Sequence, residues 1–425
     1  MNMDLLENQR TNTWTCTRLV YRYILVIVLL YIYINSVYFS FLGPFVAQHI
    51  ILLLVSIICL NNKALLFISQ NKKLIWLYML LLIETVIISI GGGDSRPFVN
   101  AVLKLAYYCY VPSLLIPYIC MHKLSFNKCI IAIGWISGII STLCFVSSDV
   151  SNVLSNMVII NAEQAGQLEE QRGFGIASGI TFSYGLVNAF IFAYSLSEKY
   201  YKKWYSALFY ILLLFATVIN TRTSFILQLL FVVVYIMMSK KVNKVKIFAY
   251  VAVVSIFIYL YILPIILETS TGDWLMQGFF MTSDYFLDTN MASGNVYTVL
   301  ESMIIFPQTL TEWILGTGKF IYQKSDIGFI LQIYYGGLLY LILLLITYYV
   351  TIRPLDNKYM ILCAVIMLLI ANYKGVYLEY NDGLQFITFI AMYQAYSARL
   401  NRKMELMKLS YRQKKEPVVS VNPLN

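Results

Sequence analysis

Charge is scarce in this 425-residue chain: Asp, Glu, Lys and Arg make up 12% of it, against 60% hydrophobic residues. A soluble globule cannot hide that much apolar surface, so soluble enzymes and binding domains are excluded and an integral membrane protein is implied. Histidine is nearly absent. His49 sits at the start of an apolar run and His122 in a loop beside Lys123, so the two cannot form a metal or proton-relay cluster. Seven cysteines, at positions 16, 59, 109, 120, 129, 144 and 363, show no CxxC pair and no metal spacing. Most lie within or beside apolar runs, where a thiol serves as a small packing group. No metal and no cofactor are therefore expected. The polar start of the chain, with Asp4, Glu7, Arg10 and Arg18, leads into a long apolar run without a small-residue cleavage site. That pattern reads as a retained first helix rather than a cleaved signal peptide. Internal repeats and low-complexity tracts are also missing.

What is present is a series of apolar runs of bilayer-crossing length, near 19–38, 43–60, 74–90, 99–119, 129–147, 174–196, 205–219, 225–238, 247–267, 328–350, 359–372 and 384–398. The expected fold class is all-α: a polytopic membrane helix bundle of about twelve transmembrane helices, forming a single multi-pass domain over 1–425. A large outer loop, 268–327, precedes the last three spans, and its segment "VYTVLESMIIFPQTLTEWIL" reads as one or two short amphipathic helices at the interface. The net charge of +10 does not form a nucleic-acid face, because the cations fall in clusters between spans. Alternate connections collect 24 of the 31 basic residues, including a basic tail over 399–425. The positive-inside rule makes that side cytoplasmic, with both termini inside.

Against that bias, an outward arginine needs a reason. "VINTRTSFI" carries Arg222 in a turn between two apolar halves so short that the turn should be recessed beneath the outer surface. A recessed arginine is costly unless it is paired or faces a wet cavity; the alternative is snorkelling to the headgroups. Arg172 has a similar address in "QRGFGIASGITFSYG", either as an interface anchor or as a site residue. There Gly175, Gly179 and Ser183 recur at helical spacing, as on a close-packing face. "ILGTGKFIYQKSDIGFILQIYYGG" brings Lys319, Lys324 and Asp326 into the tenth span. Gly316 and Gly318 could expose backbone amides to an anion, and Asp326 stands where a helix N-cap is usual. Glu84 and Lys104, both within spans, either face an internal cavity or are satisfied in bland ways. Asp94 and Arg96 in "GGGDSRP" look like an outer turn.

Taken together, "QRGFGIASG", "NTRTSFI", the long outer loop and "LGTGKF....SDIGFILQIYYGGLLYLIL" resemble the Wzy-type O-antigen and capsular polysaccharide polymerases of the O-antigen ligase/polymerase superfamily. The resemblance covers about 170–350 and the layout of spans. It implies a membrane glycosyltransferase of the bacterial inner (plasma) membrane. Such an enzyme moves a growing glycan from undecaprenyl pyrophosphate to an incoming lipid-linked repeat on the outer face, with membrane lipid and a chain-length regulator as further partners. On that resemblance Arg172 and Arg222 contact pyrophosphate and Asp326 stands at an "SDxG"-like element; Lys319 and Lys324 of the same loop are candidate substrate-binding residues, and Asp326 is the candidate base. The outer loop lacks histidine, which favours polymerase over ligase. Where the family often has an arginine in this loop, "ASGNVYTVLE" offers Asn295. The reading from another class is a flippase for lipid-linked oligosaccharide, which should show a pseudo-repeat between halves; none is visible.

Overall fold

The computed structural model describes residues 3–61, 63–159, 175–178, 182–239, 303–321 and 325–415. Among them the protein is all-α: the one β-type pairing is an isolated bridge between Phe39 and Val158. The helices are α1 (Met3–Ile34), α2 (Pro44–Cys59), α3 (Lys63–Gln70), α4 (Lys72–Ile90), α5 (Arg96–Lys104), α6 (Val111–Met121), α7 (Phe126–Val146) and α8 (Ser148–Asn156). After the gap follow α9 (Ser183–Ser197), α10 (Ser206–Val218), α11 (Arg222–Met238), α12 (Leu310–Leu315), α13 (Gly328–Ile352), α14 (Lys358–Lys374) and α15 (Asp382–Lys415).

Five helices are long and apolar enough to cross a membrane: Thr17–Ile34, Lys72–Ile90, Arg96–Met121, Phe126–Val146 and Gly328–Ile352. Of the other expected spans, those over 43–60, 205–219, 225–238 and 359–372 form helices of 16, 13, 17 and 17 residues, and 384–398 lies within the 34-residue α15. Ser206–Val218 has only 13 residues, about 20 Å at 1.5 Å per residue. The expected span over 174–196 begins as helix only at Ser183, and the one over 247–267 lies outside the described residues. Of the 268–327 loop, α12 is a short exposed helix closed by a capping box between Thr309 and Glu312. The basic tail starts as a continuation of α15 rather than as a separate segment.

In the third of these five, Arg96–Met121, α5 passes into α6 through a π-helical stretch, Leu105–Tyr110, where the Val111 amide reaches back to the Ala106 carbonyl. Pro112 explains the widening: it has no N–H to give the Tyr108 carbonyl, and its ring needs space there. At the centre of the bundle is α9. Apolar around nearly its whole circumference, it is buried from Tyr184 to Leu196 by α7, α10, α11, α14 and α15. Cys59, Cys109, Cys129, Cys144 and Cys363 are buried free thiols and Cys120 is half-buried, as the packing reading expects.

Connections that the charge pattern assigns to one side touch one another. On the expected outer side Asp94 meets Gly318 and Phe320, Tyr38 meets Ile159 and Ser178, and Asn381 meets Ser183. At the other end Arg399 meets Gln70, the Ser125 amide meets Tyr23, and Asp356 meets Gln394. Cysteines introduced at exposed Lys319 and Lys202 should therefore label oppositely: Lys319→Cys with an impermeant maleimide on intact cells, Lys202→Cys only after permeabilisation. Labelling of both from the same side would overturn the topology.

Candidate functional site

Three glycine motifs, far apart in sequence, lock together at the end of the bundle that the charge pattern places outside. Helix α13 is broken at Gly337, whose φ of 69° and ψ of −168° interrupt the helical ladder. The break frees the carbonyls of Tyr334 and Tyr335. The Thr317 amide and hydroxyl take the first at 2.6 and 2.9 Å, and the Gly318 amide takes the second at 2.8 Å. On its other side the same hook meets the α4–α5 turn: Asp94 N donates to Gly318 O at 2.7 Å, and Phe320 N donates to Asp94 Oδ2 at 2.6 Å. "LGTGKF" is thus a clamp between "GGGDSRP" and "YYGG". An anion cradle at Gly316 and Gly318 is corrected by this geometry, because the amide of Gly316 goes to Glu312 and those of Thr317 and Gly318 to the broken helix.

Beside the clamp, the connection 375–381 between α14 and α15 sinks into the bundle. Tyr377, Leu378, Glu379 and Asn381 are buried, as is Asp382 at the start of α15. Its polar groups are held one by one. Lys104, 3% exposed, donates to the Leu378 carbonyl at 2.7 Å; the side chain does not snorkel, and the neighbouring Glu379 carboxylate attracts it. Glu379 Oε1 accepts from the Tyr340 hydroxyl at 2.7 Å, while its Oε2 is buried with no partner among the described residues. The Tyr108 hydroxyl bridges the amide and carbonyl of Asn381, both at 2.9 Å. Asn372 pairs with Gln332 and accepts from Leu378 N. Ser36 donates to Asp382. A buried non-helical backbone calls for such partners, although Tyr377 Oη, like Glu379 Oε2, is buried without one among the described residues. Glu84, half-buried on α4, belongs to the same electrostatic neighbourhood.

The segment Phe182–Gly185, at the start of α9, joins the remaining motifs. Gly175, at the end of "QRGFG", lies on the Tyr184 ring. Gly185 admits α11: a Cβ there would meet Ser224 Oγ at 2.6 Å and Thr221 Oγ1 at 2.7 Å. Ser183 accepts from Asn381, and Phe182 faces Gly375, whose carbonyl in turn lies against Gly328, two residues after Asp326. Below the α11 start, polar atoms of Asn188, Asn220, Ser224 and Gln228 are buried without a partner among the described residues. Gly175 precedes the helix, so it shares no helical face with Ser183, and Gly179 lies outside the described residues; Gly185 makes the close approach instead.

The sequence-predicted residues are distributed over this end as follows. Arg222 is the first residue of α11, directly after the turn Asn220–Thr221, which is buried in the bundle. Asp326 is exposed and is not a cap: the N-cap of α13 is Ile327, without a side-chain cap bond. Lys319 is exposed on the clamp. Arg172 and Lys324 lie outside the described residues. Sequence reasoning missed "GVYLEYNDG" as a structural centre; the available signal was two acids, Glu379 and Asp382, in one short connection beside Lys374. Among the described residues, no group of three or more His, Cys, Asp or Glu side chains could hold a metal ion. No family model matches the chain, and neither a curated protein nor a solved structure matches it.

Proposed function

We propose that this protein is a polytopic polymerase of lipid-linked oligosaccharide repeats in a bacterial inner membrane, with both termini cytoplasmic and the reaction on the outer face. One observation carries the reading: Gly175, Thr221 and Ser224 adjoin the start of α9, and Gly328 reaches it through Gly375, so that residues scattered over 150 positions share one end of the bundle. In this reading Arg172 and Arg222, with Lys319 and Lys324, hold the pyrophosphate. The acceptor hydroxyl attacks the anomeric carbon, the bond from that carbon to pyrophosphate oxygen breaks, and undecaprenyl pyrophosphate leaves with the electron pair. Asp326, open to solvent and uncommitted to capping, receives the hydroxyl proton. Guanidinium groups suit the leaving group because they stay charged and offer a two-pronged match to phosphate oxygens.

The test is a glycan ladder from a host lacking this protein, complemented at equal membrane levels. Arg222→Lys, Arg222→Ala and Asp326→Asn should each accumulate single repeat units, with long chains lost or nearly so. Full-length polymer with Arg222→Lys would reject the two-pronged role, since a snorkelling anchor tolerates lysine. Normal polymer with Asp326→Asn would remove Asp326 from the chemistry.

A further inference from the structure

At the opposite end of the bundle, the one that the charge pattern places in the cytoplasm, a cleft of about 400 Å³ opens between the start of α4, the end of α13 and the middle of α15. Its rim carries Lys72, Lys73, Arg353 and Arg399, and among the described residues no carboxylate lines it. The floor is apolar, with Leu74, Val350 and Met392. Positive-inside bias accounts for the sign of these charges but not for their convergence on one concavity from three helices.

The local electrostatics are unfavourable as they stand. Lys72 and Lys73 occupy the first turn of α4, where the partial positive charge of the helix favours anions. That turn has no acidic residue, and its N-cap, Asn71, forms no side-chain cap bond. Arg399 is already fixed at the rim, its Nη1 donating to the Gln70 carbonyl at 3.0 Å. A helix N-terminus, two ammonium groups and two guanidinium groups around one cavity form a receptor for a phosphate-type anion. The surface beside it says where that anion comes from. Trp76, Leu80 and Ile83 of α4 and Ile342, Ile346 and Tyr349 of α13 are exposed apolar side chains on the two helices that lead to the cleft.

We infer that the cleft formed by Lys72, Lys73, Arg353 and Arg399 binds the headgroup of an anionic phospholipid of the adjoining leaflet, with the acyl chains along the exposed α4 and α13 side chains. The site is distinct from the outer one, and it stands or falls independently of the polymerase reading. Its role is that of a built lipid site rather than of general attraction to a charged bilayer.

The test uses the full-length protein, purified and delipidated in detergent. Phosphatidylglycerol, phosphatidylcholine or inorganic phosphate is titrated separately, and binding is read by native mass spectrometry and thermal shift. Wild type should retain and be stabilised by phosphatidylglycerol alone. The variant Lys72→Ala/Lys73→Ala/Arg353→Ala/Arg399→Ala removes exposed side chains only and should weaken that binding about tenfold or more. A charge-matched control, Lys123→Ala/Lys128→Ala/Lys202→Ala/Lys203→Ala, should bind like wild type. Equal losses in the two variants would reduce the effect to net charge and overturn the site. Phosphatidylcholine or inorganic phosphate binding as well as phosphatidylglycerol would overturn the lipid assignment.

Discussion

Gly337→Ala should yield little folded protein, with a loss on the order of 4 kcal/mol from backbone strain and overpacking combined. Gly337 has φ 69° and ψ −168°, a region open essentially only to glycine. The space is closed as well: a Cβ would lie 2.2 Å from the Ile314 carbonyl oxygen and 2.3 Å from its carbon, both backbone atoms that cannot swing aside. Fluorescence-detected size exclusion and thermal unfolding in detergent would read the loss. Gly92→Asn is the control, because Gly92 also has positive φ (89°) but no atom within 4 Å of an added Cβ, and asparagine tolerates that backbone. If Gly337→Ala behaves no worse than Gly92→Asn, the clamp between 314–318 and α13 does not hold the outer end together.

Lys104→Met should cost about 1–3 kcal/mol, the usual penalty for leaving a buried acceptor without its donor. The methionine keeps the length of the stem but leaves the Leu378 carbonyl without its donor and Glu379 buried without a nearby cation. Adding Glu379→Gln should recover a substantial part of the loss, because glutamine can still accept from Tyr340 without placing a charge there. The comparison of both single variants with the double by thermal unfolding isolates the coupling. A Lys104→Met protein within about 0.5 kcal/mol of wild type would mean that the lysine is not tied to the 375–381 connection in solution.

Much of the helical layout was legible because hydropathy and charge act locally. The runs near 74–90, 129–147 and 328–350 became α4, α7 and α13 with nearly the expected bounds. Other features depend on partners distant in sequence. No local rule says that the amides of Thr317 and Gly318 are spent on a helix break that begins some twenty residues later, so these glycines read as an anion loop. Asp326 stood where caps stand, yet the turn geometry gave the N-cap position to Ile327. Lys104 was ambiguous for the same reason, since its acceptor is 274 residues away. The "GVYLEYNDG" connection looked like an ordinary outer turn because its burial is imposed by α5, α9, α13 and α15 rather than by its own composition.

Those separations impose an order of biogenesis. A chain made from its N-terminus has α5 long before residue 378 exists, so Lys104 is made without the carbonyl that will satisfy it. Asp94 likewise waits 226 residues for the Phe320 amide, Tyr108 waits 273 for Asn381, and Ser36 waits 346 for Asp382. The early helices must therefore be carried as an incomplete half, their polar groups sheltered by the insertion machinery or turned toward the interface, until α14 and α15 arrive and close the bundle. Truncation just before α14 would leave every one of these except Asp94 unanswered.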